Sequence, residues 1–120
     1  MENDKILNRL AELGNKHDLI IGLTTTGANQ IDVLKKAMDV EVNGLKLFRL
    51  FQVTYNIFDQ SIGPVAEEIA EQNSRLVIKE ALANGRVFLN EKYPNYSKAY
   101  EQLKSLALKY NVGIDAIALR

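Results

Sequence analysis

The sequence contains no cysteine, which removes thiolate nucleophiles, disulfide staples and every zinc site built on sulfur. It has one histidine, His17, so a nucleophile–base arrangement that needs an imidazole could rest on that residue alone. Charge of either sign is not in excess: 15 Lys and Arg balance 15 Asp and Glu. Nothing therefore draws the chain toward nucleic acid phosphates or an anionic bilayer, and neither is expected as a partner. Long apolar runs are also missing; none approaches the ~18 residues of a membrane span. The polar, acidic start Met1-Glu2-Asn3-Asp4-Lys5 has no apolar stretch behind it, so a cytoplasmic location is expected. No P-loop, no G-x-G-x-x-G after a strand, no H-E-x-x-H and no G-x-S-x-G occurs, which leaves the common motif-borne chemistries unsupported. Low-complexity tracts, linkers and short repeats are absent as well.

What remains is a 120-residue chain with 47% hydrophobic and 25% charged residues, the balance of a globular domain able to build a core without staples. A single domain over residues 1–120 is expected. Ile6, Leu7, Leu10 and Leu13 recur at helical spacing, with Asn3 or Asp4 to cap the start and Gly14-Asn15 to stop it. Leu19-Ile20-Ile21-Gly22-Leu23 is short and nearly continuously apolar, the pattern of a strand buried on both faces. After Thr24-Thr25-Thr26-Gly27, the residues Ile31, Leu34, Ala37 and Met38 form a helical stripe. Val40 to Leu47, with Asn43-Gly44 at its centre, predicts a small hairpin.

Phe48 to Tyr55 has strong strand propensity, and Ser61-Ile62-Gly63-Pro64 leads into a helix with proline in its first turn. Arg75 to Glu80 predicts a third buried strand. A loop with Asn84-Gly85-Arg86 and Tyr93-Pro94-Asn95 precedes the stripe Ala99, Tyr100, Leu103, Leu106, Ala107, Tyr110, ended by Asn111 and Gly113. Asp115 to Arg120 begins one more helix. Strands alternating with helices predict an α/β chain with a parallel sheet covered on its faces. A small doubly wound layer and an arc of a barrel both fit.

Ligands of such sheets gather at the carboxyl ends of the strands. Thr24, Thr25 and Thr26 stand there, able to bind a ligand amide or phosphate or to cap the next helix. Gln52, Tyr55 and Asn56 follow on the second strand, where internal hydrogen bonding is the competing role. Lys79-Glu80 closes the third, with a salt bridge between these or neighbouring charges as the structural alternative. Asn84-Gly85-Arg86 offers a tight turn with free N–H groups and a guanidinium, a seat for a phosphate or simply a turn. His17 precedes the first strand, at the stability-related end. Glu67, Glu68 and Glu71 share one helical segment and read as a solvated face. No metal ligand set emerges.

Four segments in order resemble the C-terminal part of the aldo/keto reductases: IGLTTTG (Ile21–Gly27), QVTYN (Gln52–Asn56), KEALANGR (Lys79–Arg86) and DAIALR (Asp115–Arg120). The likeness covers most of the chain. It implies a partial (β/α)8 TIM-barrel arc, about three parallel strands alternating with helices, corresponding to strands five to seven of that barrel. It further implies NADP as cofactor, with Thr24, Thr25 and Gln52 near the nicotinamide carboxamide. Lys79 and Glu80 would follow, and the loop Ala81, Leu82, Asn84, Gly85 and Arg86 would cover the pyrophosphate. Family members more often carry Ser and Asn where Thr24 and Thr25 stand, and many stack an aromatic ring where Lys79 stands. The family's catalytic Asp, Tyr, Lys and His come from its first four strands, so no catalytic residue is assigned to this chain and the chain alone is expected to be inactive. The eighth strand and the basic segment for the adenosine 2′-phosphate would begin beyond Arg120. Unpaired strand edges predict a homo-oligomer or pairing with the other part of the barrel. A non-catalytic self-associating or nucleotide-binding module derived from that fold is the alternative.

Overall fold

A computed structural model describes residues 2–120. The chain is mixed α/β and falls into two compact units, one comprising residues up to Thr54 together with Ser61–Ile78, the other Tyr55–Gln60 with Lys79–Arg120.

The first unit opens with α1 (Glu2–His17). Asn3 and Asp4 lie inside this helix rather than capping it, and it runs through Gly14-Asn15 instead of stopping there. The absence of a side chain at Gly14 serves packing: a Cβ there would lie 3.2 Å from Ile21 Cγ1 and 3.3 Å from the Leu19 carbonyl oxygen. The chain reverses at Asp18, in the left-handed region at φ 53°, and the Leu19 N–H returns to the Gly14 carbonyl at 2.9 Å.

Three strands, β1 (Gly22–Thr24), β4 (Leu50–Thr54) and β5 (Arg75–Lys79), form a sheet in that order, with β4 central. β1 pairs with β4 in parallel, Gly22 opposite Leu50, Leu23 opposite Phe51 and Thr24 opposite Gln52. β5 runs in the same direction, since Arg75 N–H bonds Arg49 O near the start and Tyr55 N–H bonds Lys79 O at the other end. The helices α2 (Gln30–Met38) and α3 (Gly63–Glu71) alternate with these strands. Between α2 and β4 comes the predicted hairpin, β2 (Glu41–Val42) and β3 (Leu45–Lys46). Its Asn43 and Gly44 have φ of 54° and 76°, the double left-handed geometry for which Asn-Gly is the preferred pair.

The core consists of Leu34, Ala37 and Met38 of α2, Phe51 and Val53 of β4, and Ile62, Val65 and Ile69 at and in α3, with Leu23 and Leu76 packed on it half-buried. Alternation therefore sends Leu23, Phe51, Val53 and Leu76 to one face, toward the helices. The two outer strands are not buried as their apolar runs predict. β1 is only three residues long, Leu19 and Ile20 are 58% and 50% exposed, and Val77 and Ile78 are 40% and 43% exposed. A continuous apolar run carries no alternation, so it gives no warning that its strand lies at an edge. α2 begins at Gln30 after Asn29, so none of Thr24 to Thr26 caps it.

In the second unit Asn56 organises a turn, its Oδ1 accepting the N–H groups of Phe58 and Asp59 at 2.9 and 3.0 Å. A left-handed turn at Ala83–Gly85 and a single turn of 3-10 helix at Pro94–Tyr96 lead to α4 (Ser97–Tyr110). Asn111 ends α4 at φ 52°, and Val112 N–H closes onto Ala107 O at 3.0 Å, the left-handed stop expected there. The last element is α5 (Ile114–Ala118). Ala83, Val87, Tyr100 and Leu103 are this unit's buried apolar residues, and Phe58 meets Tyr96 edge to face at 4.7 Å.

Candidate functional site

In the first unit, the parallel register sets Thr24 directly beside Gln52, on the face opposite Phe51 and Val53. Thr24 Oγ1 donates to Gln52 Oε1 at 3.0 Å. The mid-strand amide thus finds the partner it needs, as the internal reading predicts. Gln52 Nε2 and the lone pairs of Thr24 Oγ1 remain directed at no group among the described residues, so the pair offers both a donor and acceptors at the carboxyl end of β1. Thr25 plays a different part. It is buried, its N–H bonds Gln52 O at 2.9 Å and extends the ladder by one step, and its hydroxyl faces the same carbonyl at 3.5 Å. A ligand at Thr24 would meet Thr25 only through the backbone it fixes.

The residues expected around a phosphate belong to the second unit. The salt bridge between Lys79 and Glu80, the structural alternative for this pair, does not form: β5 ends at Lys79 and the chain turns left-handed at Glu80, at φ 57°. Instead the Glu80 carboxylate accepts from Asn84 Nδ2 at 3.0 Å, and among the described residues Lys79 has no ion-pair partner. Glu80 also uses its carbonyl, which accepts Asn56 Nδ2 at 3.1 Å and Ala83 N–H at 2.7 Å. Asn56 is therefore a buried brace for this loop, while Tyr55 beside it is exposed.

Ala81 and Leu82 are half-buried, and Ala83, Asn84 and Gly85 all take positive φ, 50°, 54° and 85°. The N–H groups expected to be free are mostly committed: Gly85 N–H bonds Leu82 O at 2.9 Å and Arg86 N–H bonds Ala83 O at 3.0 Å. Arg86 Nε turns back to the same Ala83 carbonyl at 2.9 Å. The loop is thus a self-bonded knot that holds one guanidinium in place, with the Arg86 Nη groups and the Lys79 ammonium as its cations. A nest of backbone donors it is not.

His17 closes α1 ahead of β1, at the opposite end from Thr24. Glu67, Glu68 and Glu71 are all exposed along α3. Among the described residues no group of three His, Cys, Asp or Glu could hold a metal ion, and no helix is long and apolar enough to cross a membrane.

Two features escaped the sequence. Gln30 is 1% exposed; its Nε2 donates to Thr54 O at 3.1 Å and Ser61 Oγ at 2.9 Å, and its Oε1 accepts Thr54 N–H at 3.2 Å. It ties α2 to the end of β4 just beyond Gln52. Its only sequence signal was a polar residue directly ahead of the apolar stripe. The second is a cleft of about 550 Å³ lined by Leu19, Ile20, Asn43, Leu45, Arg49 and Asn73 among others, at the amino ends of the strands and so opposite Thr24. Comparison of the chain with protein families, with curated proteins and with solved structures returns no match.

Proposed function

We propose that this chain is a cofactor-binding segment of an aldo/keto reductase-like barrel, an NADP-dependent carbonyl/alcohol oxidoreductase, in which β1, β4 and β5 are three consecutive strands of a (β/α)8 arc. The observation that carries the reading is the Thr24–Gln52 pair, hydrogen-bonded at 3.0 Å across neighbouring parallel strands at the carboxyl end of β1, where barrel enzymes bind their ligands. The strand order β1-β4-β5 follows chain order without reversal, as an arc requires and as one half of a doubly wound sheet also allows.

NADP(H), when bound, would supply the hydride for a small carbonyl substrate. Gln52 Nε2 would donate to the nicotinamide carboxamide oxygen and Thr24 Oγ1 would accept its N–H, with Thr25 holding the backbone beneath. These polar atoms fit that group. The loop of the second unit, taken by itself, offers a phosphate the cations of Arg86 and Lys79 and little else, because the N–H groups of Gly85 and Arg86 are already bonded within it. No residue of this chain is assigned to proton or hydride transfer. The same reading places the protein in the cytoplasm, with the remaining strands of the barrel or a second copy as partner and no nucleic acid or membrane partner.

Titration of the chain with NADPH, followed by nicotinamide fluorescence, is expected to saturate, with Gln52→Ala and Arg86→Ala each weakening binding about tenfold. Saturation by AMP or phosphate that Arg86→Ala weakens and Gln52→Ala leaves unchanged, without saturation by NADPH that depends on Gln52, would point to a nucleotide-binding module instead. Absence of saturable binding of either would overturn the cofactor reading in favour of a non-catalytic self-associating module. That second reading has its own support in the exposed Val77 and Ile78 of the outer strand β5.

A further inference from the structure

The chain holds two Asn-Gly steps, Asn43-Gly44 and Asn84-Gly85, and the structure restrains them unequally. Both asparagines are exposed and left-handed, at φ 54° each. Asn84 is held at both reacting groups: its Nδ2 donates to Glu80 Oε2 at 3.0 Å, and the Gly85 N–H donates to Leu82 O at 2.9 Å. Asn43 is held at neither. Among the described residues its side chain makes no hydrogen bond and the Gly44 N–H has no acceptor, and nothing lies within 4 Å of the position a Gly44 Cβ would take.

We propose that Asn43 is a site of spontaneous covalent modification, deamidation through a succinimide, while Asn84 is protected by its loop. The Gly44 amide nitrogen loses its proton and attacks Asn43 Cγ, forming a C–N bond; the Cγ–Nδ2 bond breaks and ammonia leaves with the proton. Solvent water then opens the five-membered imide at either carbonyl, giving aspartate or isoaspartate. At Asn84 the same attack needs the Gly85 nitrogen released from Leu82 O and the leaving amide released from the Glu80 carboxylate.

The consequence is local and structural. An isoaspartate adds a methylene to the main chain at position 43, and a two-residue turn with both residues left-handed does not accommodate it. The pairing of Glu41 with Lys46 and of Val42 with Leu45 would open. With it would go the contact of Lys46 Nζ with Glu41 at 3.1 Å, and one wall of the cleft that Asn43, Leu45 and Lys46 help to line.

The test incubates the full chain at mildly alkaline pH and maps its peptides by mass spectrometry, with isoaspartate located by fragmentation. In the folded chain, Asn43 is expected to convert on the order of tenfold faster than Asn84, from the two hydrogen bonds that must break at the latter. In urea the two rates should converge, and Glu80→Ala should raise the Asn84 rate while leaving Asn43 unchanged. Equal rates in the folded chain, a faster Asn84, or no conversion of Asn43 over a period in which the unfolded chain converts would each overturn the proposal.

Discussion

Gln30 shows how a single buried amide can decide the geometry near a site. Its three hydrogen bonds join the first turn of α2 to the main chain of Thr54 and the hydroxyl of Ser61. Truncation removes an acceptor and two donors from a dry environment, where each polar group left without this partner costs about 1–3 kcal/mol. Gln30→Ala is therefore expected to lower unfolding stability by about 2–4 kcal/mol, seen as a lower urea midpoint with unchanged slope. A loss below ~0.5 kcal/mol would show that water replaces the amide without cost. The candidate residues divide at this same scale. Thr24 and Gln52 were each legible as polar residues toward the carboxyl ends of their strands, and the structure adds the register and the bond that join them. The burial of Thr25 and Asn56 was not legible, since a hydroxyl or amide in a sequence says nothing about which main-chain groups lie beside it. The self-bonded loop at Ala83 to Arg86 was hidden for a related reason: Asn-Gly announces a turn, yet positive φ at Ala83 as well depends on how neighbouring carbonyls close the ring.

At the scale of elements, helices α2, α3 and α4 and the Asn43-Gly44 hairpin follow directly from periodicity and turn chemistry. Strand existence was legible too, whereas strand burial was not. β1 illustrates the point. Gly22 lies so close to β4 that a Cβ would sit 2.7 Å from the Leu50 carbonyl oxygen, a backbone atom that cannot swing away. Gly22→Ala is accordingly expected to cost about 1–3 kcal/mol and to loosen the Thr24–Gln52 bond two residues on. Gly63, at the start of α3, has nothing within 4 Å of such a Cβ. Gly63→Ala should be neutral or stabilising by up to ~1 kcal/mol, so thermal melts of the two variants should move in different directions. Equal shifts would mean that β1 and β4 are not in this close contact.

At the scale of the whole molecule, a set of large apolar side chains is left exposed. Leu19, Ile20, Val77, Ile78, Leu108 and Leu119 are each 40–73% exposed, and two of the sheet's strands are edges. If a second copy covers them, the melting temperature rises with chain concentration, and sedimentation shows a species heavier than 13.5 kDa. A melting temperature independent of concentration, with a single 13.5 kDa species, would exclude self-association. The absence of cysteine and a lone histidine excluded whole classes of chemistry by composition, and the alternation of strand and helix patterns specified a parallel α/β chain, because periodicity and turn residues act over a few positions at a time. Which strands became edges, that Thr24 meets Gln52 while Lys79 does not meet Glu80, and that Gln30 rather than a threonine anchors α2 were decided only by tertiary structure. Each depends on groups 24 or more residues apart, or on the side of a sheet to which the chain is turned, and no local pattern carries that information.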